Sequence, residues 1–238
     1  LSAPFDARSG DLGGKEICKK KTLETIEAGD APQDVVIEGT CAYSPDIPLL
    51  TFIGRLEKQK GVEVLADSLE YLLAEDGHVA FLALGTGVPE VEARLRHLAD
   101  RFRGRACIAF GYNPAFAVQI FAAGDFFLIP SQYEPCGLTD FFARLSGNIP
   151  IVHRVGGLVK TIDGRFGFSY VGGKNELIEC LQRALAVYRE KGKTVLRKMQ
   201  ADAAANVHKS FTWAKVLEKK YLPFYKDAIA ASQPILPY

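Results

Sequence analysis

From Leu49 onward, two hydrophobic patterns alternate along the chain. Short runs of consecutive apolar residues are followed by stretches in which apolar residues recur at every third or fourth position. The first pattern is typical of strands buried on both faces, and the second of helices with one apolar face. The predicted strands are residues 49–54, 79–84, 107–111, 126–130, 149–153 and 167–171. Such alternation predicts a parallel, doubly wound sheet, which is a Rossmann-like α/β fold.

The apolar stripes, together with residues favoured at helix ends, also place the helices. Proline suits the first turn of a helix, so Pro89 marks the start of the second predicted helix of this region, and Thr212 is a suitable N-cap for the last helix. The other predicted helices begin at Val62, cover residues 114–123 and 138–145, and occupy much of the chain after Gly173.

Residues 1–48 show neither pattern clearly and are rich in Gly, Asp and Pro. A short helix is predicted around residues 15–25, where no breaker interrupts the chain, and a small strand at residues 35–37. We expect this irregular segment to pack on a single domain formed by residues 49–238, since no second domain boundary is found.

Composition narrows the classes of function. A formal net charge of +1 gives no reason to expect bulk electrostatic binding to nucleic acid or to an anionic membrane. No apolar run is long enough to span a bilayer, and no charged-then-apolar signal segment opens the chain. The five cysteines form no C-x-x-C pair and therefore indicate reduced thiols in a cytoplasmic protein. The first residue is Leu1 rather than methionine, which favours a piece of a longer protein.

The stretch of residues 126–142 carries the strongest functional signal. An apolar strand at 126–130 is followed by the polar turn 131–137 and then by the helix at 138–145. This order places Glu134 and a row of backbone N–H groups at the carboxyl edge of the sheet. Ligands of open α/β sheets bind at that edge, and a helix N-terminus favours phosphate. The sequence therefore predicts that this loop is the binding site.

The amino-acid sequence of this loop resembles that of a known family. The hexapeptide at residues 134–139, Glu-Pro-Cys-Gly-Leu-Thr, and the segments 147–152 and 155–158 are similar to those of bacterial glycogen synthases and plant starch synthases, glycosyltransferase family 5. The resemblance covers nearly the whole chain, but only as the C-terminal half of such an enzyme. It implies the donor-binding half of a GT-B fold, and a location in the cytoplasm, or in the plastid if the protein comes from a plant.

The resemblance also implies an activity. Enzymes of this family transfer glucose from ADP-glucose to the non-reducing end of an α-1,4-glucan with retention of configuration. The glucan acceptor would be bound with the help of a missing N-terminal domain, so the chain is expected to be inactive alone. No metal or other cofactor is expected, because no paired aspartates or histidine cluster in the sequence could hold a metal.

Three candidate catalytic residues follow. Arg55 and Lys60 lie in the loop after the strand at 49–54, where two cations could clamp a diphosphate. Spacing alone favours a solvated basic loop, but the resemblance places the two residues at the family's diphosphate-binding positions. Glu134 could be a surface carboxylate by the general rule that charged residues are mostly exposed. The resemblance implies that Glu134 faces the donor sugar.

The remaining candidates are predicted to bind the nucleotide sugar. By resemblance, Gly85-Thr86-Gly87 lets the backbone approach the ligand, Tyr112 stacks on the adenine, and Cys136, Gly137, Leu138 and Thr139 offer backbone N–H groups. From the residues alone, a glycine turn, a core tyrosine and a small buried cysteine remain alternatives.

Two positions depart from related patterns. Val88 stands where the family usually carries aspartate, and Phe142 stands where other retaining glycosyltransferases hold the ribose with a glutamate. The alternative functions are a GT-B enzyme that uses UDP-glucose or another acceptor, and a nucleotide-binding domain without catalysis. No pair of carboxylates has the spacing of a glycosidase, which disfavours hydrolysis by double displacement.

Overall fold

A seven-stranded sheet forms the centre of the molecule in the computed structural model, which describes residues 1–190 and 193–232. The strand order across the sheet is β1-β4-β3-β2-β5-β6-β7. The strands are β1 Val35–Cys41, β2 Leu49–Ile53, β3 Ala80–Gly85, β4 Arg105–Gly111, β5 Phe126–Ile129, β6 Ile149–His153 and β7 Phe168–Tyr170. Neighbouring strands pair in parallel from β4 to β7, which confirms the predicted doubly wound α/β class.

Helices connect the strands and continue beyond the sheet. They are α1 Gly13–Glu27, α2 Val62–Glu75, α3 Pro89–Arg101, α4 Pro114–Ala123, α5 Leu138–Leu145, α6 Lys174–Arg189, α7 Thr194–Ser210, α8 Trp213–Val216 and α9 Leu222–Ala231. Short 3-10 turns cover Ala7–Ser9, Lys58–Lys60 and Gly156–Lys160, and a π-helical segment covers Leu217–Tyr221. No helix in the described residues is long and apolar enough to cross a membrane.

Alternate side chains of the central strands enter separate cores on the two faces of the sheet. In β3, Phe81 and Ala83 pack with α2, α3 and α6, whereas Leu82 and Leu84 pack with α1 and α4. Because successive residues of a strand point to opposite faces, a strand covered on both sides needs an unbroken apolar run. This burial on both faces explains why the strands could be predicted from apolar runs in the sequence.

The edge strand β1 differs from the prediction. It extends over Val35–Cys41 rather than residues 35–37, and it pairs antiparallel with β4. Its middle residues are only partly buried, so it lacks the continuous apolar run of the inner strands. The sequence did not assign this strand to the parallel sheet; β1 adds one antiparallel edge strand to it, as is common in mixed sheets.

Two buried lysines bind helix α1 to the C-terminal ends of α4 and α5 and to the residue before β5. Lys15 Nζ donates to Ser146 O at 2.8 Å and to Ala122 O at 3.1 Å, and Lys19 Nζ pairs with Asp125 Oδ2 at 2.9 Å. Burial lowers the pKa of Lys15 to about 8. These contacts hold the first part of the chain against the α/β sheet.

Helix α5 has the predicted bounds but an unexpected orientation. Its apolar residues Leu138, Phe142 and Leu145 are exposed, whereas Asp140 and Arg144 are completely buried. The two buried residues form an ion pair of 2.6 Å, and Thr161 donates to the same carboxylate at 2.9 Å. A buried charge must be paired, so this polar contact decides which face of the helix points inward.

Candidate functional site

The strand order reverses between β2 and β5. From β2 the chain runs outward to β3 and β4 on one side, and from β5 it runs outward to β6 and β7 on the other. The two strands pair in parallel, with Leu50 opposite Phe126, so their carboxyl ends open at the same edge. A crevice at such a switch point is the usual ligand site of open α/β sheets.

The loops that leave β2 and β5 are in direct contact. Gln132 N–H donates to Gln59 O at 2.9 Å. Gly61 has a left-handed backbone with φ of 69°, and a Cβ at this position would lie 1.9 Å from Pro130 O. A larger residue would separate the two loops, so glycine here permits their close approach.

Lys60 and Glu134 meet across this contact. Lys60 Nζ lies 2.6 Å from Glu134 Oε2, and Ser131 Oγ lies 3.3 Å from the same oxygen. The Lys60 side chain is 25% exposed and the Glu134 side chain 12% exposed, so solvent screens this pair only in part. The structure thus joins two of the three candidate catalytic residues, although 74 positions separate them in the chain.

Arg55 lies apart from this pair. Its guanidinium bonds to Glu57 at 2.7 Å, and its side chain is 60% exposed. It lies on the wall of a cavity described below.

The loop from Glu134 to Gly137 is held from one side by the turn that begins at Gly156. Gly157 N–H donates to Glu134 O at 2.8 Å. A Cβ on Gly157 would lie 2.4 Å from Cys136 O, and one on Gly156 would lie 2.2 Å from Glu134 O. The two glycines therefore allow the turn to lie directly against the loop, which fixes the backbone beside Glu134.

The other side of this loop offers hydrogen-bond donors. In the part of the chain that the structure describes, the backbone N–H groups of residues 136–139 have no protein acceptor. Gly137, with φ of 73°, directly precedes α5, so these groups lie at the N-terminus of that helix. Free N–H groups and the positive end of the helix dipole together favour a negatively charged or oxygen-rich ligand.

The glycine loop after β3 has a structural role. Gly87 N–H and Thr86 Oγ both donate to Glu92 Oε1, at 3.0 and 3.1 Å. Burial favours a raised pKa for Glu92, but these hydrogen bonds and Arg96 outweigh it, so the pKa lies below its usual value. A Cβ on Gly85 would lie 2.0 Å from Gly54 O. These glycines permit the close approach of the loops after β2 and β3.

A cavity of about 540 Å³ opens at the carboxyl ends of β2, β3 and β4. This volume is in the usual range of small-molecule sites. The lining is mainly apolar and comes from the loops after these strands and from α4 and α5; it includes Ile53, Arg55, Leu84, Gly85, Thr86, Tyr112, Val118, Phe121, Phe142 and Leu145. Tyr112 is 79% exposed, so its ring is available for stacking rather than buried in the core.

The chain matches a known protein family. The family described as "Glycosyl transferases group 1" matches residues 47–186, which is more than half of the chain. The chain belongs to the group 1 glycosyl transferases.

Relatives within this family agree with the resemblance seen in the sequence. The chain is 35% identical over 193 residues to the glycogen synthase of Lactococcus lactis, covering 77% of this chain and 39% of that protein. It is 38% identical over 154 residues to starch synthase 2 of Arabidopsis thaliana, covering 61% of this chain and 19% of that protein. The chain thus spans well under half the length of these relatives.

A solved structure gives the same result. The catalytic domain of starch synthase IV from Arabidopsis thaliana, bound to ADP and acarbose, superposes with a TM-score of 0.78 at 25% identity. The match covers 97% of this chain and 45% of that chain. The resemblance to glycogen and starch synthases and the GT-B fold predicted from it are confirmed.

Within this glycosyl transferase, the predicted site residues fall into two neighbouring groups. Lys60, Glu134 and residues 136–139 surround the contact between the loops after β2 and β5. Arg55, Gly85, Thr86 and Tyr112 line the apolar cavity, and Gly87 lies next to it in the loop bonded to Glu92. Their roles in binding and catalysis stay predictions.

The sequence did not single out several residues that shape this region. Val118 and Leu145 line the cavity, and the sequence indicated only that they lie in helices. Phe142, noted in the sequence as a departure from a ribose-binding glutamate, also lines it. Lys160 contacts the carbonyl oxygens of Cys136 and Gly137. Its separation from the loop in the chain leaves no local pattern that could have identified it.

A metal site is not found in the described part of the chain. No group of three or more His, Cys, Asp or Glu side chains there is placed to hold a metal ion. The five cysteines are all unpaired, and Cys136, in the loop before α5, is exposed while the other four are buried.

Proposed function

We propose that the chain is the donor-binding half of a retaining glucosyltransferase that moves glucose from ADP-glucose to an α-1,4-glucan. The observation that carries this proposal is the Lys60–Glu134 pair beside the free N–H groups of residues 136–139. Membership of the group 1 glycosyl transferases and the ADP in the starch synthase IV structure support the choice of reaction and donor.

The cavity would receive the nucleoside. Its apolar lining suits a base and ribose better than a phosphate, and the exposed ring of Tyr112 suits base stacking. Arg55 on the cavity wall and Lys60 beyond it would then face the two phosphates of the diphosphate. The sugar would lie nearest to Glu134, at the far end of the donor.

Transfer would depend on charged side chains placed next to the atoms on which charge develops in the transition state. As the bond from the sugar to the diphosphate breaks, the ammonium of Lys60 stabilises the increasing negative charge on the leaving group. The carboxylate of Glu134 stabilises the positive charge on the sugar, and the N–H groups at the start of α5 hold the donor in position. The two groups pair with each other at 2.6 Å, so the diphosphate would compete with Glu134 for the Lys60 ammonium.

Binding of the glucan would need a further domain. The helical region from Trp213 to Ala231 contains no buried residue, although it exposes large apolar side chains including Trp213, Phe224, Tyr225 and Ile229. Exposed apolar surface of this extent usually marks an interaction site. It supports the proposal that an N-terminal domain packs there and completes the acceptor groove.

Titration of the chain with ADP, UDP and adenosine by calorimetry tests the donor assignment. We expect ADP to bind more tightly than adenosine, because Arg55, Lys60 and the α5 N-terminus contact the diphosphate. ADP should also bind more tightly than UDP, since the larger purine buries more surface in the cavity. Preference for UDP would point to a UDP-glucose enzyme, and no nucleotide binding at all would contradict the proposal.

A further inference from the structure

Lys160 holds the backbone of the loop before α5. It ends the 3-10 turn Gly156–Lys160, and its side chain is 14% exposed. Lys160 Nζ donates to Gly137 O at 3.0 Å and also to Cys136 O. The same ammonium lies 3.4 Å from Asp140 Oδ1 and 4.4 Å from the centre of the Phe141 ring. One side chain therefore bonds two successive carbonyl groups and the first turn of α5.

The planar peptide bond links these carbonyls to the donors on the other side. No peptide bond is cis in the described residues. In a trans peptide, the C=O and N–H groups point in opposite directions. Because Lys160 holds Cys136 O and Gly137 O, the N–H groups of Gly137 and Leu138 must point away from it. Neither N–H group has a protein acceptor in the described chain.

The charges below the loop favour an anionic ligand. Asp140 is completely buried and lies against two cations, Arg144 at 2.6 Å and Lys160 at 3.4 Å. One carboxylate against two cations leaves the cluster with a formal surplus of one positive charge. This surplus lies at the first turn of α5, where the helix dipole is also positive, so the two effects add.

We propose that Lys160 is a positioning residue for the donor: it fixes the two peptide groups so that Gly137 and Leu138 present their N–H groups to a phosphate of the nucleotide sugar. The inference rests on the proposed function and extends it to a residue outside the Lys60–Glu134 pair. Lys160 itself contacts the loop from behind and does not touch the ligand.

The experiment compares four full-length chains: the unaltered protein, Lys160→Met, Lys160→Arg and the control Lys198→Met. Lys198 is an exposed lysine paired with Asp202 on α7, far along the chain from the loop. Two properties are measured: affinity for ADP and for adenosine, and the rate of thermolysin cleavage before Leu138, which is 58% exposed. Cleavage needs local opening of the loop, so its rate reports how firmly the loop is held.

We expect Lys160→Met to weaken ADP binding about tenfold, the loss of one charge-assisted hydrogen bond, and to leave adenosine binding unchanged. Cleavage before Leu138 should accelerate about tenfold. Lys160→Arg retains the charge and donors and should restore most of the ADP affinity, and Lys198→Met should match the unaltered chain. A role in general stability would instead weaken ADP and adenosine binding equally.

The buried cysteines provide an internal check on folding. Cys18, Cys41, Cys107 and Cys180 are each at most 2% exposed, so iodoacetamide reaches them only if the chain unfolds. If Lys160→Met makes them reactive, Lys160→Gln replaces it, because its amide can still donate to one carbonyl. Unchanged ADP affinity and unchanged cleavage in a folded variant would overturn this inference alone. Absence of ADP binding by the unaltered chain would overturn the proposed function, and this inference with it.

Discussion

At the scale of single residues, the short contact between Lys60 and Glu134 changes how each is expected to act. The Glu134 carboxylate pairs with the Lys60 ammonium, which we propose binds the diphosphate. The carboxylate therefore competes with the ligand for Lys60. An anionic ligand that approaches Lys60 must also approach Glu134, and like charges repel. Nucleotide affinity and turnover should therefore respond in opposite directions to loss of the Glu134 charge.

The substitution Glu134→Gln tests this expectation. ADP affinity should stay equal or rise slightly, because the amide releases Lys60 and removes a repulsive charge. In the intact enzyme, turnover should fall by orders of magnitude, since in our proposal the carboxylate stabilises the cationic sugar. The free energy of unfolding should fall by about 1 kcal/mol, the value of one hydrogen bond, because Glu134 is only 12% exposed. A normal turnover rate in the intact enzyme would remove Glu134 from the catalytic site.

The two cations allow a second test. Changing Arg55 or Lys60 to alanine should weaken ADP binding by about 1.5 to 3 kcal/mol, the range for hydrogen bonds to charged groups. Adenosine binding should hardly change. The loss should be larger for Lys60, because Lys60→Ala leaves Glu134 unpaired beside the diphosphate. Lys58, an exposed neighbour in the same loop, provides the matched control as Lys58→Ala. Calorimetry that gives equal losses for ADP and adenosine would show that the residues act on the fold.

At the scale of elements, the inner strands were predictable because burial on both faces leaves apolar runs in the sequence. The helices were predictable because their apolar residues recur at every third or fourth position. The bounds of α4 and α5 agree with the predicted ranges 114–123 and 138–145. The orientation of α5 was not predictable from the same pattern. Its buried face is polar, and the partner that satisfies it, Thr161, comes from a turn later in the chain. A contact between distant segments leaves no periodic signal.

The candidate site shows the same limit. The order strand, turn, helix along the chain placed Glu134 at the carboxyl edge of the sheet, and this position agrees with the structure. The pairing of Glu134 with Lys60 depends on β2 and β5 being neighbours, which strand patterns alone do not specify. Lys160 and the cavity residues depend on loop geometry in the same way. Sequence therefore indicated the site, and the fold determines which of its residues touch.

Helix α1 gives a prediction for pH dependence. The pKa of Lys15 is lowered to about 8 by burial, from 10.5 in the unfolded chain. Between these pH values the unfolded chain binds more protons at this position, so the Lys15 contribution to stability rises with pH. The free energy of unfolding of the unaltered chain, relative to Lys15→Met, should therefore increase between pH 7.5 and pH 10, by about 1 to 3 kcal/mol. A difference that does not vary with pH in urea unfolding would show an ordinary pKa for Lys15.

At the scale of the whole molecule, the chain combines the candidate site at the edge of the sheet with an uncovered C-terminal region. This chain covers only 45% of the matched starch synthase IV chain. The described residues after Ser210 expose aromatic side chains instead of burying them. A transfer reaction needs both substrates held against each other, and positioning of this kind can supply much of the rate. Our proposal gives this chain residues for the donor and assigns the acceptor groove to another domain.

We therefore expect the chain alone to bind ADP weakly and to make no glucan. Weak binding follows from a donor pocket that is open on the side of the proposed N-terminal domain, which would contribute further contacts and exclude water. Incubation with radiolabelled ADP-glucose and a glycogen primer should leave no label in the polymer, while calorimetry still detects ADP. The starch synthase 2 protein of Arabidopsis thaliana, a relative with many more residues than this chain, is a suitable positive control. Measurable elongation of the primer by this chain alone would show that its own residues also bind the acceptor, and would contradict the division of roles between two domains.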